Sequence, residues 1–399
     1  MKAEMLKIDQ RTTRAMNRRL ILNLLRREGS LSRVEIAEIT GLSRATVTFV
    51  VNDLIAENYL VEGETVRGAG GRRPIPLAIN YAGHLAIGIK MNVGSLECIL
   101  TDLSTEAIST VTVNFLDPSP ESVLDAAETA IRHLMTAAPT DAGAVTGIGF
   151  SMPGTIDVEN GICIKSHRFF WDNVPFADML YKRVQVPVWM EDDTIAFALA
   201  HHLFGLGRQY NTFGALAIGV GIGCAAVSNG VVLRGGHGQA GKLGHTMHKL
   251  NGALCECGRK GCLQAYYAEP VIVERWRTEK GLGPQHDRFS MRDAALQGEP
   301  LAKAILREAG ENIGIHLAAF VDIVDPEVIV VGGEAVCFGD LLFGPMREAL
   351  DVYCYSRPPA ILPDERDNFW SSGAAALATQ RLFNFEKGPG SQQGDSSIA

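Results

Sequence analysis

The hydrophobic pattern of the chain changes once, near residue 80. Before that point apolar positions recur every three or four residues, the spacing of helices packed on one face. Leu20, Ile21, Leu24 and Leu25 line one side of a predicted helix over 15–27, arginines line the other, and Gly29 ends it. Ser32-Arg33-Val34-Glu35 is a capping box, in which Ser and Glu satisfy each other's backbone donors, and it predicts a short helix to Thr40. Gly41-Leu42-Ser43 is a tight turn. Ser43 caps a further helix to about Glu57, with Val47, Val50, Val51, Leu54 and Ile55 facing inward. Helix, short glycine turn, helix is the helix-turn-helix arrangement. Short strands over 59–61 and 75–79 flank a glycine- and arginine-rich tip containing Arg72 and Arg73, which adds a wing.

From residue 84 onward short apolar runs alternate with amphipathic stretches. Runs 84–91 and 96–103 predict a hairpin about Asn92-Val93-Gly94, and 121–137 a helix. Run 145–150 is a strand leading into Met152-Pro153-Gly154, and 187–190 a strand followed by Glu191-Asp192-Asp193 and a helix. Run 215–227 is strand-like but carries Gly219, Gly221 and Gly223. A long helix over 301–321 and a buried strand over 328–331, ending at Gly332-Gly333, complete the pattern. Strands alternating with helices predict an α/β body. Residues 386–399, rich in Gly, Ser, Gln and Asp, read as a disordered tail.

At 399 residues the chain exceeds what one core serves, so two or three domains are expected. Its net charge of −8 argues against nonspecific binding of polyanions, but the charge is uneven. The first 80 residues hold 13 Lys+Arg against 9 Asp+Glu, net +4, and the remainder is net −12. A basic module on an acidic body confines nucleic-acid contact to the module. The N-terminus has no signal-peptide apolar region, and the longest apolar stretch, 213–227, is too short and glycine-rich to span a bilayer. A cytoplasmic protein without membrane contact is expected.

Ser43, Arg44, Thr46, Thr48 and Asn52 occupy the outer face of the second helix of the pair, and Arg33 opens the first. Short polar groups and arginines so placed reach base edges and phosphates in a major groove. Arg72 and Arg73 at the wing tip suit a narrow minor groove. A second chemical cluster lies at His245, Cys255, Cys257 and Cys262, spaced H-x9-C-x-C-x4-C. Four soft donors with no open position suit one structural zinc ion per chain; His248 is a rival for the fourth place. The other five cysteines (Cys98, Cys163, Cys224, Cys337, Cys354) are scattered and read as reduced thiols.

Gly244-His245 with Cys255-x-Cys257-Gly258-x-x-Gly261-Cys262-Leu263 resembles the signature of the ROK family, which groups sugar-responsive transcriptional repressors with sugar kinases. Residues 32–61 and the Gly71-Arg72-Arg73-Pro74 tip resemble the DNA-binding domain of the repressor branch, which the kinases lack. The resemblance implies a duplicated actin-like body over 84–384, two lobes about a cleft. The expected organisation is a winged helix-turn-helix over 1–80 and lobe I over 81–195. Lobe II follows over 196–385, with the zinc loop and a last helix returning to lobe I, and then the 386–399 tail.

The family's first phosphate turn, Asp-x-Gly-Gly-Thr, reads Lys90-Met91-Asn92-Val93-Gly94 here, which implies loss of phosphoryl transfer. The second turn keeps Gly219, Gly221 and Gly223 but is followed by Cys224. On the sugar side the family's Asn-Asp pair is Asp192-Asp193, the Glu of Glu-x-Gly-His is Lys242, and the Glu after Gly-Cys-x is Gln264. The resemblance implies ligand contacts at Pro153, Gly154, Asn173, Asp192, Asp193, Lys242, His245 and Gln264. Trp171, beside Asn173, reads as core. Lys242 and Asp192 face three outcomes: an internal pair, a lysine turned to solvent, or, the preferred one, a lysine free for a carboxylate or phosphate. The expected function is a DNA-binding repressor of carbohydrate-metabolism genes. It acts on double-stranded operator DNA, answers to a sugar, sugar acid or sugar phosphate, and forms a dimer or tetramer. The alternative is an ATP-dependent sugar kinase with an appended DNA-binding domain.

Overall fold

The computed structural model describes residues 10–63, 75–138, 143–366 and 369–383. The wing tip with Arg72 and Arg73 and the 386–399 tail lie outside the described residues. The N-terminal unit consists of α1 (Gln10–Glu28), β1 (Leu31–Ser32), α2 (Arg33–Thr40), α3 (Arg44–Ala56), β2 (Leu60–Glu62) and β3 (Pro76–Ile79). The capping box forms: Glu35 N donates to Ser32 Oγ at 3.3 Å, and Ser32 N donates to Glu35 Oε2 at 2.8 Å. Gly41 ends α2 in the left-handed region at φ 70°, where a side chain would be strained. Strand β1 has no sequence signal, because its two residues pair with β3 while also serving as the approach to α2.

The body is a duplication. Its first half runs β4 (Leu85–Asn92), β5 (Ser95–Asp102), β6 (Ala107–Asn114), α4 (Pro120–Thr136), β7 (Val145–Met152), a small sheet of β8 (Thr155–Asp157), β9 (Ile162–Ser166) and β10 (Trp171–Val174), then α5 (Phe176–Val184), β11 (Val188–Asp192) and α6 (Asp193–Phe204). Its main sheet has the order β11-β7-β4-β5-β6. The second half runs β12 (Phe213–Ile218), β13 (Ile222–Ser228), β14 (Val231–Val232), α7 (Gln264–Tyr267), α8 (Glu269–Lys280), α9 (Arg288–Leu296), α10 (Pro300–Val324), β15 (Val328–Gly332), α11 (Asp340–Tyr353) and β16 (Ala360–Pro363), then α12 (Phe369–Phe383). Its sheet has the order β14-β13-β12-β15-β16. In both halves an antiparallel meander is extended by two parallel strands on the free side of its first strand. The strand-like 215–227 run is therefore two strands, with Gly219 and Gly221 in the turn between them.

Helix α12 lies on the first sheet, against β4 and β7, and beside α6. Small residues permit the contact. A Cβ on Gly88 or Gly149 would run into the α12 backbone at Ser371 and Ala374 respectively. The DNA-binding unit sits directly on this assembly, and its core is continuous with that of α6 and α12. Buried Arg26 of α1 donates to Leu203 O at 2.8 Å, the Tyr59 and His84 rings stack at 4.3 Å, and Asn58 donates to Gly83 O at 3.3 Å. No helix among the described residues is long and apolar enough to cross a membrane.

The tight α12 seat yields a stability test. Gly149→Ala should lower stability by about 1–3 kcal/mol or more, as overpacking does. Gly236→Ala, where a Cβ meets nothing within 4 Å, should leave the melting temperature within error. Thermal melts of the two variants compare them directly.

Candidate functional site

The outer face of α3 is built by helix chemistry before it meets any ligand. Ser43 Oγ accepts from Thr46 N at 3.1 Å and lies 2.8 Å from Thr46 Oγ1, so both hydroxyls serve the cap. Thr48 Oγ1 donates to Arg44 O at 2.8 Å. Arg33 bridges Glu62 at 2.9 Å and Asn52 Oδ1 at 3.3 Å, tying the two helices and the wing strand together. Arg44 is exposed. Phe49, missed in the sequence pattern, is also exposed on this face, with the Arg14 guanidinium 5.2 Å from its ring.

Four of the candidate metal donors converge. One ligand atom from each of His245, Cys255, Cys257 and Cys262 lies within 4.8 Å of the others. Cys255 Sγ is 3.6 Å from His245 Nδ1, and Cys257 Sγ is 3.7 Å from Cys262 Sγ. A tetrahedral zinc with bonds of about 2.0–2.3 Å places its corners about 3.5–3.8 Å apart, so the donor set fits. His248 stands outside the cluster, 3.3 Å from the Tyr267 hydroxyl, so the candidate donor set is completed by His245. Left-handed Gly258 and Gly261, both at φ 82°, permit the loop's reversals.

Between the two halves lies a cleft of about 1310 Å³, lined by Lys90, Gly154, Arg168, Asp192, Asp193, Gly219, Lys242, His245, Glu256 and Gln264 among others. Its centre is the passage from β11 into α6. Asp192 Oδ1 caps α6, accepting from Thr194 N at 3.1 Å and Ile195 N at 3.4 Å. Asp192 Oδ2 accepts from Lys242 Nζ at 2.6 Å, and Lys242 also donates to Gly154 O at 2.9 Å. The expectation of a free Lys242 is thereby corrected: the residue forms the internal pair. Burial alone would lower the Lys242 ammonium, but Asp192 outweighs it and holds the ammonium above its ordinary range.

Asp193 forms an ion pair with Lys90, which is buried beneath the Trp370 ring of α12 at 5.6 Å. Burial would raise the Asp193 carboxyl; Lys90, with Arg168 and Lys242 beyond it, wins and holds it below the usual carboxylate range. Two further pairs join the two halves. Arg234 Nε donates to Glu191 Oε2 at 2.6 Å. Arg168 grips Glu256 with Nε at 3.2 Å and Nη2 at 2.9 Å, and reaches Val220 O at 3.3 Å. The Glu191 carboxyl is raised by burial, only partly offset by Arg234. Four cations thus meet four carboxylates in and beside the cleft.

Gln264 is spent on structure: Oε1 accepts from Ile222 N at 3.2 Å and Nε2 donates to Glu256 Oε1 at 2.7 Å. Asn173 does not join the others. It is exposed on β10, bonded to Asp172 at 2.9 Å, and is not part of the cleft wall. Trp171 is buried core, its indole N–H donating to Pro118 O at 2.6 Å. Arg168 and Arg234 were invisible in sequence, since each partner lies tens of residues away. Glu256 alone had a signal, its place between two metal-loop cysteines. Glu334, directly after Gly332-Gly333, lies against Gly219 of the second glycine turn.

A model described as the ROK family matches residues 86–381, and one described as winged helix-turn-helix DNA-binding matches 17–61. The chain is 28% identical over 348 residues to a xylose repressor of Caldicellulosiruptor bescii, covering 84% of this chain and 87% of that one. It is 36% identical over 220 residues to a glucokinase of Thermotoga maritima, covering 52% and 69%. A solved ROK family transcriptional regulator, a homologue of the E. coli Mlc protein, shares the fold with a TM-score of 0.82 at 24% identity, covering 93% and 97%. With the family match spanning most of its length, the chain belongs to the ROK family.

Proposed function

We propose that this chain is a sugar-responsive, DNA-binding transcriptional repressor of carbohydrate-metabolism genes, acting in the cytoplasm as a homodimer. One observation carries the reading. A winged helix-turn-helix is packed on α6 and α12 of a kinase-like body whose central cleft carboxylate, Asp193, is already held by Lys90. A carboxylate paired with an ammonium is a poor base, and phosphoryl transfer depends on neutralising phosphate charge. Glu334 brings a negative charge to the glycine turn instead. Likeness to a xylose repressor over most of the chain supports repression and a sugar effector.

The effector enters the cleft and meets Pro153, Gly154, Asp192, Asp193, Lys242 and His245. Sugar hydroxyls both donate and accept, so a neutral sugar can bridge carboxylate and ammonium without stranding either. A carboxylate or phosphate aimed at Lys242 would need that ammonium released from Asp192, which is costly when the charge left behind is buried. Operator DNA is read by Arg44, with Ser43, Thr46, Thr48, Asn52 and Arg33 along the same surface and Arg72 and Arg73 from the wing. The metal is zinc, one per chain, and structural, since thiolates and imidazole fill all four places. The second reading, a sugar kinase with an appended DNA-binding domain, draws on the glucokinase likeness.

Gel shifts with operator DNA test the reading, with sugar added as the variable: a neutral sugar should release the complex. Arg44→Ala should weaken operator binding by about 1–3 kcal/mol and relax preference at one base position. Operator affinity unmoved by any sugar or by Arg44→Ala would sink the proposal.

Elemental analysis should find about one zinc per chain. Cys255→Ser should lose the metal and melt earlier, because metal binding and folding are coupled, while His248→Ala should keep both.

A coupled assay with ATP and sugars should stay at background. Turnover that Asp193→Asn abolishes would establish the kinase reading instead.

A further inference from the structure

Three arginines meet at the seam between the DNA-binding unit and the body. Arg26 and Arg27 stand in the last turn of α1. Arg208 stands in the turn that follows α6, its backbone N–H donating to Gly205 O at 3.2 Å. With Tyr81 and Glu28 they line a recess of about 360 Å³, whose wall also includes Leu25 and Ile79. The arginines feel one another's charge. Burial lowers the Arg26 guanidinium to about 10; Tyr81 opposes the shift, and Arg27 and Arg208 add to it. His202, in the last turn of α6, is held down to about 4 by burial first and Arg26 second, so it is neutral at neutral pH.

Like charges gathered in a concavity need a counter-charge. Arg26 is already spent on joining α1 to the end of α6: Nη1 donates to Leu203 O at 2.8 Å, and Nη2 to Asn23 Oδ1 at 3.3 Å. Arg27 and Arg208 are exposed, and among the described residues neither enters an ion pair. Against the three guanidiniums the lining sets one carboxylate, Glu28. Asp102, the acid that acts on Tyr81, already accepts from Ser104 N at 2.8 Å and Glu106 N at 3.1 Å. α1 and α6 both end here, each end carrying about half a negative charge. Two ends offset about one of the two surplus positive charges, and the recess stays positive. Strand β3 leads from the wing tip toward the body and ends at Ile79, so the recess lies at the far end of that strand from the wing.

We propose that this recess is a binding site for a small phosphate-bearing anion, held between Arg27 of the head and Arg208 of the body. A guanidinium presents paired N–H donors that match phosphate oxygens, and the Tyr81 hydroxyl supplies one more donor. The recess has room beyond a phosphate group, and Leu25 and Ile79 give that room an apolar wall. Gripped from both sides, the anion fastens the head to the body beside the contact of Arg26 with Leu203. The site needs neither DNA nor a sugar in the cleft, so its failure leaves the repressor reading intact.

Equilibrium dialysis of inorganic phosphate, and separately of glycerol phosphate, against the full-length chain tests it. Binding should saturate, and at fixed ionic strength it should raise the melting temperature. Tighter binding of the ester identifies an organic phosphate as the occupant, equal binding the free ion. Arg27→Ala and Arg208→Ala should each weaken binding about tenfold or more, the loss of one hydrogen bond to a charged group. Both side chains are exposed, so without phosphate the variants should melt with wild type. No binding at millimolar concentrations, or binding that both alanine variants retain in full, overturns the site. Operator affinity that falls in Arg208→Ala while neither compound binds assigns the arginine to the DNA backbone, and overturns it as well.

Discussion

Asp192 and Asp193 stand side by side where β11 passes into α6, and neighbouring carboxylates in a largely buried position cannot both stay ionised without cations. Much of the cleft follows from that constraint. Lys90 arrives from β4 to hold one, and Lys242 from the approach to the metal loop to hold the other. One oxygen of Asp192 is meanwhile committed to starting α6. The carboxylates therefore do three jobs together: they begin a helix, join the two halves and set the polarity of the ligand site. Lys90 and Lys242 leave the two carboxylates charge-balanced.

Much of this was legible from residue order. The capping box at Ser32, the glycine turn at Gly41 and the convergence of the four candidate metal donors are local patterns, and local patterns survive translation into structure because their partners lie close in sequence. What was not legible depended on distant partners. β6 escaped notice because its Ser and Thr positions alternate on an edge strand, where apolar periodicity is weak. The fate of Lys242 could not be read from its own neighbourhood, since Asp192 lies 50 residues away and Gly154 farther still. Asn173 matched a motif, yet a left-handed backbone at φ 51° and exposure on β10 keep it out of the cleft. Serines and threonines on α3 look like readers of DNA in one dimension, but several are already engaged in building the helix that carries Arg44.

The metal loop faces two ways. On its inner side His245 and Glu256 reach the cleft wall, and Glu256 receives Arg168 from the opposite half. On its outer side the same dozen or so residues present Leu250 and Leu254 to solvent. A short loop without much core of its own cannot hold both faces in register by packing. Four bonds to an ion held by His245, Cys255, Cys257 and Cys262 would, which is a physical purpose for such an ion apart from any reaction.

Helix α12 has a consequence of another kind. It carries Trp370 over Lys90, lies on glycines of β4 and β7, and touches α1 of the DNA-binding unit. With 15 residues it is about 22 Å long, and over that length a helix moves as a rod. The reading head is seated on this rod without a slack tether. Any tilt of the rod would therefore carry the head with it and turn the angle that α3 presents to a duplex, with every side chain on that face left chemically intact.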